Sequence, residues 1–220
     1  MARDELAAYI DHTLLRPEAT ETQIMQLCDE ARNYGFAAVC VPPCYVQLAK
    51  DQLGPGTLVK IATVVGFPLG YQHAKIKLLE TDQALADGAS EIDVVMNISA
   101  FKSGRYKQVQ DELSHIAGLC HLKKAHLKVI IETALLTAQE IEKACEVCVA
   151  ADTDYVKTST GFAASGASVA DVKLMRRVLP GHIKIKAAGG IKTFADAEAL
   201  IKAGADRLGC SASIHIVTYE

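Results

Sequence analysis

The feature of this sequence that most constrains its fold is a strict alternation of β-like runs with amphipathic helical stretches. The β-like runs are 9–14, 37–42, 59–67, 90–97, 126–132, 154–160, 183–188 and 206–210. Such alternation predicts parallel strands joined by crossover helices, because a short turn cannot connect a parallel pair. Eight such units in 220 residues predict a compact (β/α)8 TIM barrel of the α/β class.

The stretches between these runs space their apolar side chains three and four residues apart, as a helix does. The clearest stripes are Ile24, Leu27, Cys28 and Ala31 in 21–35, Val109, Leu113, Ile116 and Cys120 in 106–120, and Phe194, Ala197, Ile201 and Gly204 in 193–204. Gly35, Gly88 and Gly204 stand where a left-handed residue is expected to end a helix.

The rival architecture is a doubly wound open sheet. No G-x-G-x-x-G follows the first β-like run, and Gly66-Phe-Pro-Leu-Gly70 has the wrong spacing for a dinucleotide loop. No Pro/Ser-rich linker and no shift in composition divides the chain. We therefore expect a single domain, 1–220, built as a TIM barrel with a short N-terminal helix.

The charge balance excludes some classes of partner. A net charge of −3 and a pI near 6.2 predict no attraction to nucleic acid or to an anionic membrane. The densest basic stretch, Lys123-Lys124 with Lys128 nearby, is interpreted as a solvated face. No apolar run reaches the roughly 18–20 residues that span a bilayer, and the N-terminus lacks the features of a signal peptide. We expect a cytoplasmic protein.

The cysteines and histidines do not predict a metal site. Seven cysteines, an odd number, indicate free thiols in a reducing compartment. Cys145 and Cys148 form a C-x-x-C, but with Ile141 and Ala144 they make the apolar face of a helix, so they are interpreted as small buried side chains. The histidines form no H-x-x-x-H or H-x-H cluster.

Charged residues occur inside the β-like runs, and the alternation of side chains along a strand predicts where they point. Placing the aliphatic residues outward, against the helices, directs six other side chains into the barrel: Asp11, Cys40, Asp93, Lys157, Lys184 and Lys186. A buried charge costs several kcal/mol unless it is paired, so fold stability alone rarely explains such a cluster. We interpret it as functional.

Two neighbouring lysines and an aspartate suit covalent chemistry on a carbonyl. A lysine attacks a carbonyl only as the free amine, and burial next to a second ammonium lowers its pKa. Lys157 and Lys186 lie on consecutive strands, so one serves as nucleophile while the other activates it. Asp93 is a candidate for proton transfer. This chemistry requires no metal or other cofactor, because the iminium itself is the electron sink.

Small residues follow the last three β-like runs. They are Gly161 after the sixth, Gly189 and Gly190 after the seventh, and Gly209 with Ser211 at the eighth. Backbone N–H groups in such turns bind phosphate, and the loops after strands seven and eight are the recurrent phosphate site of these barrels. We therefore expect a phosphorylated substrate.

Five segments resemble the deoxyribose-phosphate aldolase family, in the right order and over essentially the whole chain: Ile10–Leu15, Val64–Gly70, Glu91–Val95, Val156–Phe162 and Ile185–Gly190. The resemblance implies a class I aldolase that reversibly cleaves 2-deoxy-D-ribose 5-phosphate to acetaldehyde and D-glyceraldehyde 3-phosphate, in deoxyribonucleotide catabolism. The fold it implies is the TIM barrel, without a cofactor.

The resemblance also implies roles for individual residues. Lys157 forms the Schiff base, Lys186 tunes it and Asp93 handles protons, while Asp11 and Cys40 support the same site. The phosphate ligands would be Gly161, Gly189, Gly190, Gly209 and Ser211. Lys184 receives no role. The sequence departs from the family pattern at Ala212, where a second small hydroxyl or Gly residue is usual, and more loosely over 96–100.

Two alternatives stay open at this point. A non-catalytic phosphate-binding barrel would need only the loops, and a Schiff-base aldolase for another sugar phosphate would share the lysines. Small barrels often self-associate, so we expect a homodimer without assigning its interface. Tyr219 lies in a C-terminal tail, and tails of this kind are commonly inert.

Overall fold

The computed structural model describes residues 2–218, and its eight parallel strands close into one barrel in the order β1 to β8, with β8 pairing back to β1. The strands are β1 (Ile10–Thr13), β2 (Ala38–Val41), β3 (Lys60–Val65), β4 (Glu91–Val95), β5 (His126–Ile130), β6 (Tyr155–Lys157), β7 (Lys184–Ala188) and β8 (Arg207–Cys210). Each lies inside one predicted run, so the TIM barrel is confirmed. Tyr219 lies outside the described residues.

Ten helices surround this barrel in the described part of the chain. They are α1 (Arg3–Ala7), α2 (Glu21–Tyr34), α3 (Val46–Leu53), α4 (Ala74–Asp87), α5 (Ile98–Lys102), α6 (Tyr106–Leu122), α7 (Ala138–Ala150), α8 (Val169–Val178), α9 (Phe194–Lys202) and α10 (Ser213–Thr218). Short 3₁₀ turns at Pro43–Tyr45 and Thr133–Leu135 complete the secondary structure. The predicted N-terminal helix is α1. None of the described helices is long and apolar enough to cross a membrane.

Local signals explain where the helices begin and end. The Thr20 hydroxyl accepts a hydrogen bond from the Gln23 N–H at the start of α2, and Gly35 ends that helix with a φ of 68°. Gly88 ends α4 in the same left-handed region, and Gly204 has a φ of 114° one residue beyond the cap of α9. The three predicted glycine stops are therefore confirmed.

The apolar core forms a shell between the outward faces of the strands and the inward faces of the helices. Val39, Val41, Ile92 and Val94 are fully buried in this shell, as the alternation along the strands predicted. Cys145 and Cys148 lie on the buried face of α7 as free thiols, which confirms their structural interpretation. The barrel interior has a different composition, because charged side chains fill much of it.

Candidate active site

Asp93 is the central residue of a network of ion pairs inside the barrel. It lies on β4 with its side chain fully buried, and its two carboxylate oxygens bind three ammonium groups. Oδ2 accepts hydrogen bonds from Lys157 Nζ at 2.8 Å and from Lys186 Nζ at 2.7 Å, while Oδ1 accepts from Lys128 Nζ at 2.7 Å. The sheet register causes this convergence, since Lys157 on β6 pairs directly with Lys186 on β7 and Asp93 pairs with Lys128 on β5.

Asp11 on β1 holds the other side of Lys186. Its Oδ2 lies 2.5 Å from Lys186 Nζ, and its Oδ1 accepts a hydrogen bond from the Arg207 guanidinium. Glu91, at the N-terminal end of β4, connects two further bases to the network, because its Oε2 lies 2.6 Å from Lys128 Nζ and 3.2 Å from Arg207 Nη2. One continuous set of ion pairs therefore links strands β1, β4, β5, β6, β7 and β8.

The network shifts the pKa values of its members in different directions. Burial would raise the pKa of the Asp93 carboxyl, but the three ammonium groups outweigh it and hold that pKa well below its usual range. Burial lowers the pKa of Lys157; the Asp93 carboxylate opposes this and the Lys186 ammonium adds to it, leaving the pKa below its ordinary value. Burial would also lower the pKa of Lys186, but Asp11 and Asp93 raise it above its ordinary value. Lys157 therefore releases its proton more readily than Lys186.

A cleft of about 740 Å³ opens at the C-terminal end of the barrel, beside the residues predicted to bind phosphate. Lys157 lines it with only 2% of its surface exposed, and no other charged member of the network reaches it. All five predicted phosphate residues also line this cleft: Gly161, Gly189, Gly190, Gly209 and Ser211. The structure thus brings a buried lysine and the glycine loops to one cavity.

Close backbone approach explains why glycine occupies these loops. Gly189 has a φ of 84°, and a Cβ on it would lie 3.1 Å from Gly166 Cα. A Cβ on Gly166 would lie 2.1 Å from the Gly189 carbonyl oxygen, so neither position accepts a side chain without movement. Gly161 is adjacent, with a φ of 87°. The loops after β6 and β7 consequently present backbone to the cleft.

A buried carboxylate fixes the loop after β6. The Thr160 N–H and hydroxyl both donate to the Glu132 carboxylate, and the Phe162 N–H donates to Thr160 Oγ1 at 3.0 Å. Glu132 follows β5 with a φ of 54°, an uncommon conformation for a residue other than glycine. Sequence reasoning did not single out this support, because its signal is a contact between two loops that are distant in sequence.

Cys40 and Asp11, predicted to support the site, are both fully buried inside the barrel and do not line the cleft. Cys40 packs beside Ala62 and Val64, and burial raises the pKa of its thiol. Cys40 is therefore a neutral thiol within the charged interior. Asp11 does not contact the cleft. It is connected to Lys157 only indirectly, because Lys186 pairs with both Asp11 and Asp93, and Asp93 pairs with Lys157.

Two predictions about lysines were wrong. Lys184 does not point into the site: it is the first residue of β7, it is exposed, and its Nζ lies 5.5 Å from the centre of the Tyr155 ring. Lys184 shares a face of β7 with Lys186, but it lies at the end of the barrel opposite the cleft. Lys128, interpreted as part of a solvated face, is fully buried at the middle of β5.

Sequence reasoning also missed Glu91 and Arg207. The alternation that placed Asp93 inward places Glu91 inward as well, and the same rule applied to His126–Ile130 would have found Lys128. Arg207 shares a face with Gly209 on a strand whose apolar pattern is too short to fix its orientation. Among residues 2–218, no group of three or more His, Cys, Asp and Glu side chains has the arrangement of a metal site.

A buried lysine that opens onto a cleft at the C-terminal end of a (β/α)8 barrel is typical of barrel enzymes that act through a Schiff base. The profile of the DeoC/LacD family aldolases matches residues 6–213. The chain is 50% identical over 214 residues to the deoxyribose-phosphate aldolase of Thermococcus gammatolerans, covering 97% of this chain and 95% of that one. It is 49% identical over 218 residues to that of Thermococcus kodakarensis, covering 99% and 97%.

A solved structure gives the same result. The chain superposes on a tetrameric deoxyribose phosphate aldolase from Aeropyrum pernix with a TM-score of 0.90 and 34% identity, covering 98% of this chain and 91% of that one. The protein belongs to the DeoC/LacD family of aldolases.

Proposed function

We propose that this aldolase reversibly cleaves 2-deoxy-D-ribose 5-phosphate to acetaldehyde and D-glyceraldehyde 3-phosphate through a Schiff base on Lys157. The observation that carries the proposal is the position of Lys157, which is the one member of the buried ion-pair network that lines the cleft. Relatives at about 50% identity that are named deoxyribose-phosphate aldolase support the choice of substrate.

The covalent steps begin with the Lys157 amine. Nζ attacks the aldehyde carbon C1 of the open-chain sugar, and the carbinolamine loses water to form an iminium. The C2–C3 bond then breaks, its electron pair moves into the iminium to form an enamine, and the C3 hydroxyl loses its proton as C3 becomes a carbonyl. Protonation of the enamine at C2 and hydrolysis release acetaldehyde and restore the amine.

Asp93 and Lys186 are suited to the accompanying proton transfers. Asp93 Oδ2 lies 2.8 Å from Lys157 Nζ, within the range that general acid–base catalysis requires. Its lowered pKa keeps it a carboxylate, which is a weak base and holds a proton only transiently. Lys186 has a raised pKa and stays an ammonium, which disfavours a second positive charge on Lys157.

The glycine loops would bind the 5-phosphate. Gly161, Gly189 and Gly190 line the cleft, together with Gly209 on the neighbouring strand β8 and Ser211 directly after that strand. Ala212, the second residue after β8, offers no hydroxyl, so binding would depend on the backbone and on Ser211. A phosphate held at this edge would place the aldehyde end of the sugar toward Lys157.

Reductive trapping tests the proposal. The protein is incubated with acetaldehyde and sodium borohydride, digested, and the ethylated lysine is located by mass spectrometry. We expect an adduct on Lys157 that is absent from Lys157→Met, with cleavage of the sugar phosphate measured in parallel. An adduct on Lys186 would reverse the two roles. A folded protein without any adduct would favour the phosphate-binding barrel that lacks catalysis.

The homodimer remains part of this proposal, as does the cytoplasmic location. An apolar surface supports self-association: Leu69, Tyr71, Ile76 and Leu79, around the start of α4, are each more than half exposed. Exposed apolar groups of this kind often lie in interfaces. Sedimentation equilibrium would measure the mass, and we expect Ile76→Lys with Leu79→Lys to give a monomer. A wild-type monomer at micromolar concentration would contradict the expectation.

A further inference from the structure

A second layer of charges lies beneath Asp93, toward the N-terminal end of the barrel. Arg207 and Glu91 are the first residues of β8 and β4, and their side chains are 11% and 4% exposed. Arg207 binds the Asp11 carboxylate and both oxygens of Glu91, the latter at 3.2 Å. Glu91 in turn binds Lys128. Neither residue touches the cleft, so neither contacts a substrate bound there.

The network contains an odd number of charges when every group is ionised. It has three carboxylates, on Asp11, Glu91 and Asp93, and four basic groups, on Lys128, Lys157, Lys186 and Arg207. Full ionisation leaves one excess positive charge in a buried site, which is costly. Loss of a single proton makes the set neutral. The network as a whole therefore favours one neutral base.

The contacts determine which base becomes neutral. Arg207, Lys128 and Lys186 each contact at least two carboxylates, whereas Lys157 contacts only Asp93. Burial would lower the pKa values of the first three, but their carboxylate partners raise them above the ordinary values. Lys157 is the exception and is also the base that faces the cleft.

We infer that Arg207 and Glu91 are positioning residues that set the pH at which Lys157 becomes a free amine, by fixing the total charge of the buried network. The inference rests on the proposed function, in which that amine is the nucleophile. Arg207 compensates Asp11 and Glu91, so that these carboxylates do not hold a proton on Lys157. Glu91 compensates Lys128 and Arg207, so that the network does not release a second proton.

The other groups around Lys157 leave this balance unchanged. The cysteine on β2, Cys40, has a raised pKa because of its burial and stays neutral. Strand β3 directs Ala62 and Val64 inward, which carry no charge. Tyr155 on β6 also faces inward, with its ring 5.9 Å from Lys128 Nζ. Lys60, His126 and Lys184 share the inward face but lie at its exposed end.

The cleft around Lys157 is also lined by His12, Arg16 and Glu30. Glu30 pairs with His12 and Arg16 with Glu18, outside the network. The seven charged residues are therefore counted together because ion pairs link each of them to Lys157.

The test is the pH dependence of kcat/KM for cleavage of 2-deoxy-D-ribose 5-phosphate in Arg207→Met, Glu91→Gln and the double variant. The acidic limb reports protonation of the essential amine in the free enzyme. Arg207→Met leaves the network one charge more negative, so the limb should move up by about one pH unit. Glu91→Gln leaves it one charge more positive, so the limb should move down by a similar amount.

The double variant restores the charge count. Its limb should return to within about 0.3 pH unit of the wild type, which a purely structural role for the two residues would not produce. Arg177→Met on α8 and Glu142→Gln on α7 are matched exposed controls, and neither should move the limb. Folded single variants that do not shift the limb, or that shift it in the same direction, overturn the inference. If the single variants do not fold, a displaced limb in the double variant overturns it.

A second measurement separates this inference from the proposed function. The rate at which Lys157 is trinitrophenylated, followed by peptide mass spectrometry over a pH series, measures its amine fraction without any aldolase activity. If the wild type does not cleave the sugar phosphate, the proposed function fails, yet the two opposite shifts should still appear in this rate. If the wild type is active and the labelling profiles coincide, the inference alone fails.

Discussion

Two buried lysines of this protein differ in what surrounds them. Lys77 on α4 is fully buried between the helices, where its Nζ donates to Glu112 Oε1 at 2.7 Å and to the Val95 carbonyl oxygen at 2.7 Å. Lys157 is 2% exposed in the barrel. Burial lowers the pKa of both lysines, and a carboxylate opposes it in both. Burial and a perturbed pKa therefore do not distinguish them.

The two lysines differ in the balance of charges around them and in their access to the cleft. Lys77 pairs directly with Glu112, Glu80 adds a second negative charge nearby, and Lys77 does not line the cleft. The network of Lys157 has one base more than it has carboxylates, and its extra base faces the cleft. A paired lysine sealed from solvent stabilises the fold, whereas a surplus lysine at a cavity is available for chemistry.

The largest effect should follow removal of the amine from the cleft. Lys157→Met should lower kcat for sugar phosphate cleavage by about 10⁴-fold or more, since removal of a covalent nucleophile has effects of that order. Lys77→Met, measured on the fraction that is folded, should lower kcat by less than about tenfold. Comparable losses in both variants would show that the two lysines do not have different functions.

The reverse order should hold for stability. Lys77→Met leaves Glu112 buried without its cation, so the free energy of unfolding should fall by about 3–5 kcal/mol in urea titrations. Lys102→Met is the matched control, because its pair with Glu140 is partly exposed and its loss should lower the free energy of unfolding far less. A loss below about 1 kcal/mol for Lys77→Met would contradict the structural role.

The pH dependence of activity should also differ between the two lysines. Lys157 reacts as the amine and its pKa is lowered, so kcat/KM should persist at a pH where a free lysine is protonated. Activity should then fall as the pH drops through the pKa of Lys157, with the midpoint below about 10.4. Lys77→Met should leave this midpoint unchanged. A midpoint at or above the ordinary lysine value would show that the buried network does not activate Lys157.

The smallest effect is expected at a third lysine, Lys184, which shares a face of β7 with Lys186 but lies at the exposed end. Its contact with the Tyr155 ring is a surface cation–π interaction, worth about 0.5–1 kcal/mol. Lys184→Met should change kcat by less than about twofold. It should lower the free energy of unfolding by no more than about 1 kcal/mol, the contribution of that contact. A larger loss of kcat would mean that this end of the barrel takes part in catalysis.

The sequence alone predicted the barrel, because hydrophobic periodicity is a local property and eight alternations leave few architectures. The same periodicity correctly turned Asp11, Asp93, Lys157 and Lys186 inward. It failed for Lys184, since alternation specifies the face of a strand but not the height along the barrel. The same alternation turns Lys128 inward, but this residue was interpreted together with the exposed Lys123 and Lys124 that precede β5.

What the sequence determined, then, is which residues face inward and which loops are rich in glycine. Which of the inward charges meet depends on the tertiary structure. Asp93 binds Lys157 and Lys186, 64 and 93 residues away, and Arg207 binds Asp11 across 196 residues. These contacts depend on the register between strands and on barrel closure, which no local pattern encodes. The charge balance that leaves Lys157 as the surplus base is a property of that assembled set.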